Sequence, residues 1–237
     1  AMREKQVLPV AVVGLTAALV AVVALWTLDR AGTSDRVAVT SDGPAQAIEW
    51  KLVTTWPKGL PGLGAAPENF ARRVNEASGG RLRIKVFGAG EIVPAFEVFD
   101  AVSQGVAEAG HGASYYWKGK IPASVFYTAV PFGMTAQEAN GWLHYGGGLQ
   151  LWHELYAPFG VVPFAGGSTG VQMAGWFNIR LNNREDLNGL KMRIPGLAGE
   201  VFDAAGGSAV RIAGGEVYTS MQTGVIDAVE WVGPYND

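Results

Sequence analysis

At 237 residues, 49% apolar and 16% charged, the chain can bury one large or two modest cores. A net charge of −3 and the lack of any Lys/Arg-rich run remove the electrostatic footprint of a nucleic-acid binder, so no nucleic-acid partner is expected. Zero cysteines exclude disulfides, thiolate metal sites and a cysteine nucleophile.

Arg3 and Lys5 precede an uncharged apolar run from Val7 to Leu28, which at 22 residues is long enough to cross a bilayer. Signal-peptide cores are usually shorter, about 7 to 15 residues, with a small-x-small site close behind. The nearest clean match here, Ala45-Gln46-Ala47, lies well downstream. Residues 1–28 therefore read as a signal peptide or an uncleaved signal anchor, the length of the run favouring the anchor. The basic residues ahead of it place the remainder on the exported side. Residues 29–47 read as a polar, flexible linker.

From Ile48 the pattern becomes an alternation of short strands and helices. Ile48, Trp50 and Leu52 share one strand face. Pro67 opens a helix that stops at Gly79-Gly80, with proline near the start and glycine past the end. RLRIKVF at 81–87 alternates as a strand, 94–104 has helical spacing, and 106–113 is a short strand of small residues. Thr135 and Glu138 form a capping box for a helix through Trp142, and a second helix runs from Leu149 to Tyr156. Strands are expected at 160–165, 171–177, 190–194, 208–212 and 226–230, with helices at 197–205 and 216–223. Such alternation implies an α/β fold with mostly parallel sheets. The glycine- and proline-rich stretch 158–170 is read as the crossing between two lobes, 48–170 and 171–237. Ligands of such folds bind at the carboxyl ends of strands, often between lobes.

Catalytic templates fail in context. GGSTG at 166–170 fits the nucleophile elbow G-x-S-x-G, but the elbow must lead into a helix, and VQMAGWF alternates like a strand. All three histidines (His111, His144, His153) precede Ser168, the wrong order for that triad, so a glycine-rich crossover loop is the reading kept. HExxH and GxxxxGK[ST] do not occur, and the histidines read as ordinary core or surface residues.

Polar groups in apolar strands stand out instead. Gln172 shares a strand face with Ala174 and Trp176, where a buried amide needs partners. Arg193 closes the strand of LKMRIPG, and Glu230 ends the apolar strand of AVEWVG, where a lone carboxylate is prohibitive. The three converge from three strand ends, or Arg193 and Glu230 form a structural ion pair.

The segments VTTWPKG, VFYTAVPFGM, VQMAGWF, LKMRIPGLAGEVF, GGEVYTSMQTGVIDA and EWVGPYND resemble the solute-binding proteins of TRAP (tripartite ATP-independent periplasmic) transporters, the DctP-like family, over residues 48–237. The LKMRIPG and EWVGPYND pair is similar to the subgroup that takes 2-oxo and 2-hydroxy monocarboxylates such as pyruvate or lactate together with a metal ion. The resemblance implies a two-lobed, type II periplasmic-binding-protein-like α/β fold, C-terminally truncated, because the family continues past EWVGPYND. It also implies that Arg193 grips the ligand carboxylate and that Gln172, Glu230 and the Trp231 carbonyl hold Ca²⁺ or Na⁺. Tyr116 closes over the ligand, and Trp56 walls the cleft. Oxygen donors of this kind suit a hard ion rather than zinc. TRAP membrane subunits as partners, a homodimer in the full-length protein, a periplasmic location and no enzymatic activity follow from the same resemblance. A membrane-anchored sensory domain for small carboxylates, and a catalytic protein using Glu230 as general base, are the competing readings.

Overall fold

The computed structural model describes residues 46–237. The signal or anchor segment and nearly all of the linker expected from the sequence lie outside them. Among the described residues no helix is long and apolar enough to cross a membrane.

The first sheet contains β1 (Ile48–Thr54), β2 (Leu82–Phe87) and β3 (Ala109–His111), all parallel in the order β2-β1-β3. Leu52 lies between Val86 on one side and Ala109 on the other. Helix α1 (Ala65–Ala77) lays Ala71 on Leu52 and Val86. Beyond its end, Gly79 and Gly80 take φ of +60° and +79°, a left-handed conformation that costs any residue with a Cβ. Helix α2 (Val98–Ser103) follows a 3₁₀ turn and buries Val98 and Phe99. They join Val53, Trp56, Trp152 and Tyr156 in the larger core, which also encloses Tyr116 and Trp117 of the 3₁₀ turn Ser114–Trp117. Helix α3 (Ala136–Tyr145) starts at the expected capping box: Glu138 Oε2 accepts from the Thr135 N–H at 2.8 Å, and the Thr135 hydroxyl accepts from the Glu138 N–H at 3.4 Å. Helix α4 (Gly148–Tyr156) then packs Trp152 and Tyr156 into the core.

The second sheet has the order β4-β7-β5-β6. Strand β4 (Trp176–Phe177) runs antiparallel to β7 (Ala228–Val229), while β5 (Lys191–Arg193) is parallel to both β7 and β6 (Ser208–Val210). Helix α5 (Gly196–Ala204) connects β5 to β6, and α6 (Val217–Gln222) connects β6 to β7. These two β-α-β units bury Leu190, Met192, Phe202 and Ala228. The α/β class expected from the alternation is the class found.

Two strand expectations fail. Residues 160–165 form no strand, and of 171–177 only Trp176 and Phe177 pair. Val162, Phe164 and Val171 are exposed, and glycines at φ +67° (Gly160), +145° (Gly167) and +73° (Gly170) break the extended backbone that a ladder needs. The strand expected at 106–113 shortens to Ala109–His111.

Candidate functional site

Strands β5 and β7 are neighbours in parallel register, Arg193 opposite Val229, and the Glu230 N–H donates to the Arg193 carbonyl at 2.9 Å. Parallel pairing therefore brings Arg193 and Glu230 out at the same, carboxyl end of the sheet, where α/β folds place their ligands. Arg193 is only 2% exposed. Its Nε donates to the Ile212 carbonyl at 3.2 Å and its Nη1 to the Glu230 carbonyl at 2.8 Å. Its Nη2 donates to the Tyr116 hydroxyl at 3.2 Å. The ion pair with Glu230 Oε2, at 3.4 Å, is the longest of the four contacts. The guanidinium also lies 4.7 Å from the centre of the Trp231 ring, within cation–π range. All three of its nitrogens thus donate to protein oxygens. A ligand carboxylate gripping the fork bidentately has to replace the Glu230 Oε2 contact and share or displace the Tyr116 hydroxyl.

Gln172 departs from its expected setting. It is exposed, it precedes β4 rather than lying within a strand, and its amide is no core group. What draws it to the site is a cluster of oxygens. One terminal atom of the amide lies 2.6 Å from Glu230 Oε1 and 3.0 Å from the Trp231 carbonyl; the other lies 2.8 Å from the Thr169 hydroxyl. With its nitrogen inward the amide donates to both oxygens; with its oxygen inward three oxygens meet, and either a proton on the Glu230 carboxyl or a cation has to join them. Gln172, Glu230 and the Trp231 carbonyl thus fit a hard cation in donor type, one carboxylate and two neutral oxygens. Among the described residues no cluster of three or more His, Asp or Glu side chains offers an alternative.

Glu230 feels its surroundings strongly. Burial pushes its carboxyl from 4.5 up to about 7; Arg193 opposes that rise and Asp237 adds to it. Asp237 is fixed by the turn that follows, its Oδ1 accepting from the N–H groups of Val232 and Gly233 at 3.0 and 2.8 Å and its Oδ2 from Trp176 Nε1 at 2.7 Å. Trp231 donates through Nε1 to Asn236 Oδ1 at 3.1 Å, and its ring lies over Gly214, where an added Cβ would stand 2.5 Å from Cη2.

Trp56 is buried, 6.3 Å from the Tyr116 ring centre and 5.2 Å, edge to face, from His111. It backs Tyr116, and no polar contact joins it to Arg193. A cavity of about 490 Å³ beside Tyr116 is lined by Phe96, Phe99 and Trp117 and shares only Tyr116 with the polar cluster. The sequence reading missed Thr169, whose hydroxyl orients Gln172 and whose carbonyl accepts from the Tyr235 hydroxyl at 2.6 Å. It also missed Asp237 and Asn236. The Gly-Pro-Tyr-Asn-Asp run was the available signal, since Asn and Asp after Gly-Pro habitually bond to nearby backbone. In the GGSTG loop the Ser168 hydroxyl merely accepts from the Gly170 N–H at 3.1 Å.

Residues 52–236 match the profile of the bacterial extracellular solute-binding proteins, family 7. A monocarboxylate 2-oxoacid-binding periplasmic protein of Nostoc sp. strain PCC 7120 is 49% identical over 190 residues, which are 80% of this chain and 52% of the relative. A TRAP periplasmic solute-binding protein of Pseudoalteromonas atlantica, solved with bound sodium and pyruvate, superposes with a TM-score of 0.78 at 48% identity, covering 81% of this chain and 58% of that one. One from Colwellia psychrerythraea, solved with calcium and pyruvate, gives 0.78 at 47% identity with the same coverage. The chain spans about half the length of the curated relative.

Proposed function

The chain belongs to family 7 of the bacterial extracellular solute-binding proteins, and from that premise we propose that it captures a 2-oxo or 2-hydroxy monocarboxylate, pyruvate or lactate in kind, together with Na⁺ or Ca²⁺, for delivery to TRAP membrane subunits. The observation that carries this reading is the meeting of the Gln172 amide, Glu230 Oε1 and the Trp231 carbonyl within 3.0 Å beside the Arg193 guanidinium.

Arg193 supplies charge and a planar fork that sets the orientation of a carboxylate. A ligand carboxylate close to an ionised Glu230 would be repelled, by about 4 kcal/mol at 4 Å for an effective dielectric near 20. A hard cation between the two turns that repulsion into attraction, and a 2-oxo or 2-hydroxy oxygen beside the carboxylate completes a chelate. Tyr116, bonded to Arg193 through its hydroxyl, covers the acid, and Trp56 supports it from behind. The relatives are binding and transport proteins, and no step of covalent chemistry is assigned to Glu230. The proposal includes a lobe boundary near residue 170, a homodimer of the full-length protein, and a periplasmic location, with the Val7–Leu28 run serving as cleaved signal or as anchor.

Thermal unfolding tests the site. Pyruvate at 100 times its Kd with calcium present stabilises by about 2.7 kcal/mol, visible as a rise in Tm. EDTA in sodium-free buffer, and separately Arg193→Ala, abolish the rise. An equal rise after both treatments refutes the site.

A further inference from the structure

Tyr116 is held at both ends by arginines from adjacent strands of the second sheet. Arg193, on β5, donates to its hydroxyl at 3.2 Å, and Arg211, just past β6, donates through Nη1 to its main-chain carbonyl at 2.9 Å. The Arg211 guanidinium lies 4.3 Å from the centre of the Phe96 ring, and Phe96 in turn packs on Tyr116 with ring centres 5.0 Å apart. The same turn meets the second sheet's helix α5 twice more: Lys118 pairs with Glu200, and Tyr115 sits so close to Gly196 that an added Cβ there would stand 3.1 Å from its own. Every partner of Arg211 thus belongs to the first core, and none of these contacts involves Gln172, Glu230 or Trp231.

We infer that Arg211 is a positioning residue for ligand capture: by tying the Ser114–Trp117 turn to the end of β6 it holds Tyr116 over Arg193 and biases the two sheets toward each other through a contact to the Tyr116 main chain that involves neither the Arg193 guanidinium nor the cation-binding groups. The inference rests on the proposed carboxylate site for its effect on binding, but not for its effect on shape. Arginine suits the role because its planar face covers Phe96 while an edge N–H bonds the carbonyl. A charge-assisted bond at a half-exposed site shifts a two-state ratio by about five- to tenfold. The shift appears mainly as faster release of ligand, since related complexes differ chiefly in dissociation.

The absence of cysteine in the chain makes a clean distance measurement possible. Arg73→Cys on α1 and Val201→Cys on α5, both exposed, accept one spin label each. Without ligand, Arg211→Met is expected to broaden the label–label distance distribution and move it to longer values, while Arg211→Lys, which keeps one donor for the carbonyl, restores part of the shift. With calcium present, stopped-flow tryptophan fluorescence should give pyruvate dissociation five- to tenfold faster for Arg211→Met and association unchanged. Wild-type distances in the Met variant overturn the inference, even if its Tm falls, because a merely structural role lowers stability without moving the sheets. If the parent chain does not respond to pyruvate and calcium, the proposed function fails, and the distance measurement still decides the role of Arg211.

Discussion

Replacing Arg193 with methionine removes a charge that the fold has surrounded with oxygens. The Tyr116 hydroxyl and the carbonyls of Ile212 and Glu230 lose their donor, and the Glu230 carboxylate, with its side chain 14% exposed, loses its only cation among the described residues. Breaking a buried pair from one side costs about 3–5 kcal/mol, most of it from the charge left behind. Glu230 already sits uneasily: with its carboxyl raised from 4.5 to about 7, its ionised form at pH 8 costs about 3 kcal/mol at about 1.4 kcal/mol per pH unit. The sign follows from which state binds the proton more tightly. The folded state does, so this cost is absent below pH 4.5, grows as pH rises toward 7 and is constant above that. Glu230→Gln alone should therefore stabilise the protein at pH 8, by up to about 3 kcal/mol, since the raised carboxyl value already includes the attraction to Arg193 and the amide has no charge to bury. The double variant should be more stable than Arg193→Met alone, with a coupling energy of about 2 kcal/mol or more at pH 8 that shrinks by pH 6, where Glu230 takes up its proton. Urea denaturation of the four proteins in EDTA at both pH values measures it, provided the m-value stays constant. Single effects that add to within about 0.5 kcal/mol at pH 8 would show that the two groups are not coupled and that the burial argument is wrong.

Gly214→Ala should push the Trp231 ring from its place beside Arg193, since the new Cβ would stand 2.5 Å from Cη2; overpacking of this kind costs about 1–3 kcal/mol, and pyruvate affinity should fall with it in isothermal titration. His111 gives an acid-side signature. Burial holds its imidazole below the usual 6.5, and its Nδ1 has no partner within the described residues, so the folded ring stays neutral while the unfolded chain takes up a proton as pH falls through 6.5. Stability is intact above that pH and declines below it; His111→Phe should flatten the decline that sets in as pH falls below 6.5, as followed by thermal melts.

The sequence by itself determined what depends on neighbours in the chain. The period-two run of Lys191–Arg193, the capping box of Thr135 and Glu138 and the glycine stop after α1 are local, and each was readable because strand pleat, helix cap and left-handed φ are decided within a few residues. The placing of Arg193 and Glu230 at strand ends followed from the same periodicity. Tertiary structure decided which groups these ends meet. Gln172 looked like a buried strand residue, yet glycines at 170 and 175 with positive φ keep its segment out of the sheet, and the amide reaches Glu230 from a loop. Nothing near Thr169, Asp237 or Arg211 in the sequence named a partner, for each acts on a group whose position is set by how the sheets and the turn at residue 114 come together. Alternation along a chain records which face is apolar; it does not record which oxygen an exposed polar tip will find once distant backbones pack to within hydrogen-bond reach.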